Sequence, residues 1–577
     1  MRNLLYIFVF FGCIAGCDPP QESLQLKPAK GGRFYGGILR FSQTEYIQSL
    51  FPPALTEAVS ARVAANIYEG LFCFDSKDLV PKPCLVESYE TNQDSSIYTF
   101  QLKKGIFFHD DACFPGGKGR ELTTADIRFC FTQLCSQTDG NQGFVLFKDI
   151  LKGANRYHEA SGGGKPPSFP LAGFESIDDY RFRLVLERPF PQLPMQLARP
   201  FGFIYPVEAL RKYGTIRPKA VGTGPFYLAA VEREISIELK RNPHYHRRDQ
   251  FGNQLPLLDG ISVQFIPDKS SELAEFRQER LQMMYHLPTA QFLEILKSTQ
   301  NQSGDEWKNV VLKKEPEMTT HFLAFNLQNP FFRNLAVRRA FARSIDKSII
   351  LGTVLRGEGM APATQGLTPP LFKNYPTSTL VSERGFADSA PVTEPMKMPS
   401  GEKITLSFYA DGSRNTLVAV SIIEQIKATL GLDIDLEPLS LAKFHDRLLS
   451  GKFSMALMSK TADTPSPFSF LEMAYGKNSI SNGGKTSPNF LHYKNPLFDS
   501  AYSAAISATL PAVASKSLLK AEQILLDDAA VVPLWYDEGY YLLRKNAKNI
   551  VINRMALLDF SNVYFVPDGK PAVAVPR

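Results

Sequence analysis

The stretch Ile404-Thr-Leu-Ser-Phe-Tyr409, followed by residues 415–430 and then Leu432-Asp-Ile-Asp-Leu436, decides the fold class. Residues 404–409 and 432–436 read as strands, and the segment between them reads as a helix. That helix places Val418, Ile422, Ile426 and Leu430 on one face, which is the stripe of a helix packed on a sheet. The result is a βαβ unit, and the chain around it is mixed α/β. Working back, residues 334–344 carry Leu335, Val337, Arg338 and Phe341 at helical spacing, with Ile345 following, and residues 320–326 read as a strand leaving a block boundary near Glu315. Residues 375–402 are a long polar connection.

Earlier still, strands are expected at 182–186, 236–239 and 261–265, with a helix over 270–278. Residues 152–170 are rich in Gly, Pro and Ser and read as a surface excursion. Ile97-Tyr-Thr-Phe-Gln-Leu102 alternates at the strand period. Thr123 stands as a capping residue ahead of a helix that carries Asp126 in its first turn. A short strand from Gly36 and a helix over 58–70 complete the N-terminal part.

Composition narrows the function. The chain has 577 residues and a formal net charge of +6, too long for one ordinary core, so two or three lobes are expected. Basic residues are scattered, which argues against nucleic acid, because phosphate binding needs a concentrated basic face. No stretch beyond the N-terminus reaches the about 18–20 apolar residues of a membrane helix.

The N-terminus itself is informative. Arg2 precedes the apolar run Leu4-Leu-Tyr-Ile-Phe-Val-Phe-Phe11, and Ile14-Ala15-Gly16-Cys17 follows. A positive residue, a short apolar core and small residues before a cysteine are the parts of a secretory signal with a lipidation site at Cys17. Residues 1–16 are the expected signal peptide and 17–32 a lipidated flexible stalk. The location is then the cell envelope, at the periplasmic or outer face of a membrane. Cys73, Cys84, Cys113, Cys130 and Cys135 remain, an odd number without zinc spacing, and are expected as buried free thiols, although an oxidising compartment would let some pair.

A series of segments in order resembles the extracytoplasmic solute-binding proteins of ABC importers, in the oligopeptide, dipeptide and nickel-binding family (family 5). They are Gly36-Gly-Ile-Leu-Arg40, Asn66-Ile-Tyr-Glu-Gly-Leu71, Leu85-Val-Glu-Ser-Tyr89, Tyr98-Thr-Phe-Gln-Leu-Lys-Lys-Gly105, Phe108-His-Asp110, Leu122-Thr-Thr-Ala-Asp126, Val221-Gly-Thr-Gly-Pro-Phe226, Asn242-Pro-His-Tyr245, and the block from Phe325-Asn326 through Val337-Arg-Arg-Ala340 to Ile345-Asp-Lys347. The resemblance implies a two-lobed periplasmic-binding-protein fold with an extra inserted domain and lobes joined by crossing hinge strands. Lobe one would be residues 33–60, 205–315 and 536–577, the insert 61–204, and lobe two 316–535. A ligand would sit between the lobes and favour closure through the contacts it gains there.

The same resemblance selects the ligand residues. Asp463, in Thr461-Ala-Asp-Thr-Pro465, matches an aspartate that salt-bridges a peptide's α-ammonium. Glu45, Tyr46, Thr320 and His321 align with segments that contact the ligand backbone. Leu457 and Lys460 stand where relatives have arginine and tryptophan, which leaves ligand length and identity open. Lys460 is expected to be solvated, with pairing to a carboxylate as the alternative. Gly222 and Gly224 are expected in a tight turn, His109 as a hydrogen-bonded structural histidine, and Arg338 and Arg339 as packing and ion-pair residues.

The expected activity is capture of peptides or similar small solutes for an ABC permease, by a monomer without cofactor, metal or catalysis. The same fold used to sense a peptide signal, or to bind nickel, haem or sugar, is the alternative. A secreted hydrolase is the weaker one. Gly483-Gly-Lys-Thr486 has the end of a phosphate loop, but Ser479 takes the place of its first glycine. Neither a Gly-x-Ser-x-Gly elbow nor a His-Glu-x-x-His motif occurs.

Overall fold

The computed structural model describes residues 25–567 apart from 164, 215–218, 381–402, 411–413 and 483–484. The signal peptide, Cys17, the stalk up to residue 24 and most of the polar connection at 375–402 lie outside these.

One large mixed sheet runs the length of the molecule. Its strands are β1 (Ile38–Gln43), β2 (Phe226–Glu232), β3 (Ser236–Arg241), β4 (Gly260–Phe265), β5 (Met283–Tyr285), β6 (Val310–Phe325), β7 (Thr405–Tyr409), β8 (Asp435–Leu439), β9 (Met455–Thr461) and β10 (Val531–Arg544). Their spatial order is β2-β3-β4-β1-β5-β10-β6-β9-β7-β8, and Ala361–Pro362 adds a short strand against β10. The strands to one side of β10 and β6 form the sheet of one lobe, and those to the other side form that of its partner. β6 and β10 are long, antiparallel and belong to both, so they are the crossing strands. Their register breaks between Pro316 and Thr320, where Pro316 has no N–H to give the ladder.

The βαβ unit is β7, the helix Arg414–Leu430 and β8, with β7 and β8 parallel from Thr405↔Asp435 to Tyr409↔Leu439. Val418, Ile422 and Ile426 are fully buried in the lobe-two core with Leu406 and Phe408, and Leu430 packs at its edge. A separate four-stranded antiparallel sheet, ordered Val86–Thr91, Ile97–Leu102, Arg181–Val185 and Phe174–Ser176, carries the inserted region. Ile97–Leu102 buries alternate residues, as its period requires. The helix Thr124–Cys135 starts where its cap was read, and the Asp126 carboxylate accepts from the Thr123 backbone N–H at 2.9 Å.

Several expectations are corrected. Lys27–Pro28 pairs with Phe34–Tyr35, and Lys30 exchanges hydrogen bonds with the Asn253 side chain, so residues 27–32 belong to the folded body instead of the stalk. The excursion at 152–170 contains the helix Ala154–Ala160. The helix expected over 58–70 ends at Ala64. The strand expected from 320 begins at Val310, and residues 317–325 are buried on both faces, a pattern without alternation.

The Gly222 and Gly224 segment is structural, as expected, and its reason is close approach. A Cβ on Gly222 would come within 2.2 Å of the Ile67 carbonyl oxygen. His109 is buried behind it, with Nε2 2.9 Å from the Gly224 carbonyl oxygen. Arg338 donates to the Asp528 and Phe332 carbonyl oxygens, and Arg339 to that of Asp527. Both arginines therefore cap carbonyls at the ends of helical segments. Strands Ser479–Asn482 and Lys485–Pro488 pair antiparallel, so a strand stands where a phosphate loop would open a helix.

Candidate ligand-binding site

A cavity of about 730 Å³ opens between the two lobes and the insert. This volume falls in the ~300–1,000 Å³ range of small-ligand sites. Lobe one contributes Glu45, Glu57, Arg247 and the 555–559 segment, and Arg62 stands at the start of the insert. The insert contributes Glu69, Cys73, Cys84 and Arg199 to Phe203. Lobe two contributes His321, Tyr409, Phe444, His445 and residues 457–463.

Asp463 is on this wall, at the end of β9. Its carboxylate forms an ion pair with Arg199 of the insert and accepts from Ser469 Oγ at 2.8 Å. Lys460 Nζ lies 3.9 Å from it and 3.4 Å from Glu472, and Arg199 lies 3.5 Å from Glu472. Two cations and two carboxylates thus form one balanced cluster. The pairing alternative for Lys460 is the one the geometry favours. Arg199 is 3% exposed, whereas Asp463 keeps 27% of its side chain accessible. Burial alone would raise the Asp463 carboxyl, but Arg199 and Lys460 outweigh it and hold it at about 2. Glu472 moves the other way, pushed up by burial with Asp463 adding to it. The Arg199 pair also spans from insert to lobe two, as does the 3.2 Å bond from Arg188 to Ser507.

The other four predicted residues separate. Glu45 and His321 line the cavity, whereas Tyr46 and Thr320 are not among its lining residues. Tyr46 packs edge-on against Phe265, at 5.6 Å between ring centroids. Thr320 is fully buried in β6, one residue out of phase with His321, so the strand alternation turns it away. His321 stacks on Trp535 at 4.0 Å, and its Nε2 is 2.8 Å from Asp537. Arg414 holds the same carboxylate at 2.8 Å, and together with His321 it keeps Asp537 well below the usual range in spite of burial.

Beside it, burial and Asp537 push Glu317 up to about 7, and Glu317 accepts from Tyr285 and Tyr541 at 2.9 and 3.0 Å. Among the described residues, His286, Glu317 and Asp537 bring three possible metal-ligand atoms within 4.8 Å of one another. Arg414 and His321 pair with Asp537, and the tyrosine hydroxyls donate to Glu317, which ties the crossing strands together, while His286 Nδ1 is buried without a hydrogen-bond partner among the described residues.

Sequence reasoning missed a second polar cluster on the opposite wall. Glu69 accepts from Thr223 at 2.9 Å and Tyr245 at 3.1 Å, and His246 lies at 2.9 Å. Burial opposes ionisation, but His246 and Arg247 hold the Glu69 carboxyl at about 2. A glutamate between Tyr68 and Gly70, within an apolar run, was the available signal.

A family model, bacterial extracellular solute-binding proteins, family 5 Middle, matches residues 80–482. The chain belongs to this family. This family 5 protein is 25% identical over 510 residues to the periplasmic oligopeptide-binding protein OppA of Salmonella typhimurium, covering 85% of each chain. It is likewise 25% identical to the oligopeptide-binding protein OppA of Bacillus subtilis, over 90% of each. Among solved structures, it superposes with a TM-score of 0.76 on the periplasmic binding protein DppA from Helicobacter pylori in complex with the peptide STSA. The identity there is 22%, covering 92% of this chain and 99% of that one. The two-lobed fold is that of these neighbours, and among the described residues no helix is long and apolar enough to cross a membrane.

Proposed function

We propose that this chain captures short peptides in the cavity between its lobes and hands them to the permease of an ABC importer, as a monomer held to the envelope membrane by a lipid on Cys17. The observation that carries the reading is the placement of Asp463: a carboxylate kept ionised and partly accessible in the cavity between the lobes, on the lobe that closes against the insert. A peptide α-ammonium meeting its open side gains a charge-assisted hydrogen bond in a cleft that closure dries, where such a bond is strong. The Arg199 and Lys460 cations suit the opposite charge of a ligand carboxylate. Binding without turnover fits a wall on which the charged groups are paired with each other.

The lobes are assigned as lobe one, 33–60, 205–315 and 536–577; the insert, 61–204; and lobe two, 316–535, with residues 27–32 added to lobe one. The division at 315/316 and 535/536 falls within β6 and β10, which act as hinges. Leu26 also packs against the core, so the stalk shortens to residues 17–25 and would keep the binder near its permease without fixing its orientation.

Native mass spectrometry of full-length protein extracted from membranes tests both parts. The expected result is a chain that starts at a diacylglyceryl Cys17 and carries a spread of short-peptide adducts. A single non-peptide adduct would overturn the peptide reading, and an unlipidated chain would overturn the anchor.

A further inference from the structure

On the insert side of the cavity, Phe72–Phe74 and Pro81–Pro83 form an antiparallel hairpin with Cys73 opposite Lys82. Cys84 follows two residues after Lys82, and its N–H donates to the Leu71 carbonyl oxygen at 2.9 Å. Strand alternation therefore puts Cys73 and Cys84 on one face, and both line the cavity. One guanidinium nitrogen, Arg247 Nη2, lies 3.4 Å from Cys73 Sγ and 2.9 Å from Cys84 Sγ. Cys84 Sγ also lies 3.3 Å from a Glu69 carboxylate oxygen.

The pair divides its protons. The bond from Cys84 and the charge of Arg247 bring the Cys73 thiol down to about 6 against the effect of burial. The bond to Cys73, burial and Glu69 push Cys84 well up. Cys113 is pushed up to about 12, and burial likewise raises Cys130 and Cys135, so those three lack thiolate character. A low-lying thiolate beside a protonated partner is the arrangement that thiol–disulfide exchange uses.

We propose that Cys73 and Cys84 are a redox-active dithiol in the wall of the ligand cavity, oxidised to a Cys73–Cys84 disulfide by small-molecule disulfides. The Cys73 thiolate attacks one sulfur of the disulfide RSSR. A Cys73–S–SR bond forms, and the RSSR bond breaks to release RS⁻, which takes the proton of Cys84. The Cys84 thiolate then attacks Cys73 sulfur, the protein disulfide closes, and a second RS⁻ leaves to be protonated by water. Two protein thiols are oxidised and RSSR is reduced to two RSH. Oxidation removes the thiolate facing Arg247, so the guanidinium faces Glu69 and the cavity alone. This inference does not depend on what the cavity binds.

The test is 2-hydroxyethyl disulfide added to the reduced full-length protein at neutral pH, followed by alkylation and peptide mapping. The expected result is loss of two of the five alkylatable thiols outside the N-terminal segment, a Cys73–Cys84 linked peptide, and three untouched cysteines. In Cys84→Ser the second step is blocked, so a mixed disulfide should accumulate on Cys73. In the unoxidised wild type, Cys73 alkylation should persist at pH values below those at which an ordinary thiol reacts. Full alkylation of both Cys73 and Cys84 after oxidant, a bridge to another cysteine, or no mixed disulfide in Cys84→Ser would each overturn the proposal.

Discussion

Replacing Asp463 by asparagine is expected to weaken binding of a free-amino-terminal peptide by about 30- to 1,000-fold, with little loss of folded protein. Removing one member of a desolvated charge pair costs about 2–4 kcal/mol, and each 1.4 kcal/mol is tenfold in affinity. The fold tolerates the change because Glu472 remains 3.5 Å from Arg199 and 3.4 Å from Lys460, so neither cation is stranded. The control is the same peptide with its amino group acetylated. It should bind the wild type weakly and lose little more on the variant. Because Asp463 is held near 2, its contribution is complete above the ordinary carboxylate range and fades only as pH falls through about 2. Calorimetric titration between pH 5 and 8 should therefore show an Asp463 contribution that is constant. Affinity within threefold of wild type for the asparagine variant would mean that the ammonium is read elsewhere.

Arg199→Met is expected to act on closure and stability instead. The guanidinium is nearly inaccessible and faces two carboxylates. Removing it leaves Asp463 and Glu472 close together with Lys460 as their shared cation. Breaking a buried ion pair from one side costs about 3–5 kcal/mol. Adding Asp463→Asn should recover more than half of that loss, since one carboxylate and one lysine then balance. The single variant should also regain stability as pH falls. A carboxylate whose folded value is raised, as that of Glu472 already is, destabilises when ionised, and protonation relieves it. Thermal melts of the four proteins across pH check both points. Strictly additive losses would show that Arg199 and Asp463 are not coupled.

The sequence made lobe two legible because its pattern is local. Leu406 and Phe408 alternate along one strand and Val418, Ile422 and Ile426 repeat on one helix, so period alone identified βαβ. The crossing strands were not legible in full. Lys313, Lys314 and Pro316 interrupt any pattern in β6, and its remainder is buried on both faces. Ordered motifs point to Asp463 and His321, which line the cavity, and to Thr320, which strand phase turns away from it.

Arg199 gave no signal. It is an arginine before a proline, and it becomes a buried partner only because the fold brings it to a carboxylate 264 residues away. The same holds for the thiol pair. Spacing showed two cysteines 11 positions apart, but the shared face depends on the hairpin, and Arg247 comes from more than 160 residues further on.

A bound peptide is expected between the lobes with its α-ammonium on Asp463. A crystal structure of the full chain with a bound short peptide tests it most directly. The ligand nitrogen is expected within hydrogen-bond distance, about 2.7–3.0 Å, of the Asp463 carboxylate, with Arg199 still paired to Asp463 or Glu472. A closed complex in which the ammonium lies away from Asp463, or in which the cavity excludes the peptide, would contradict it.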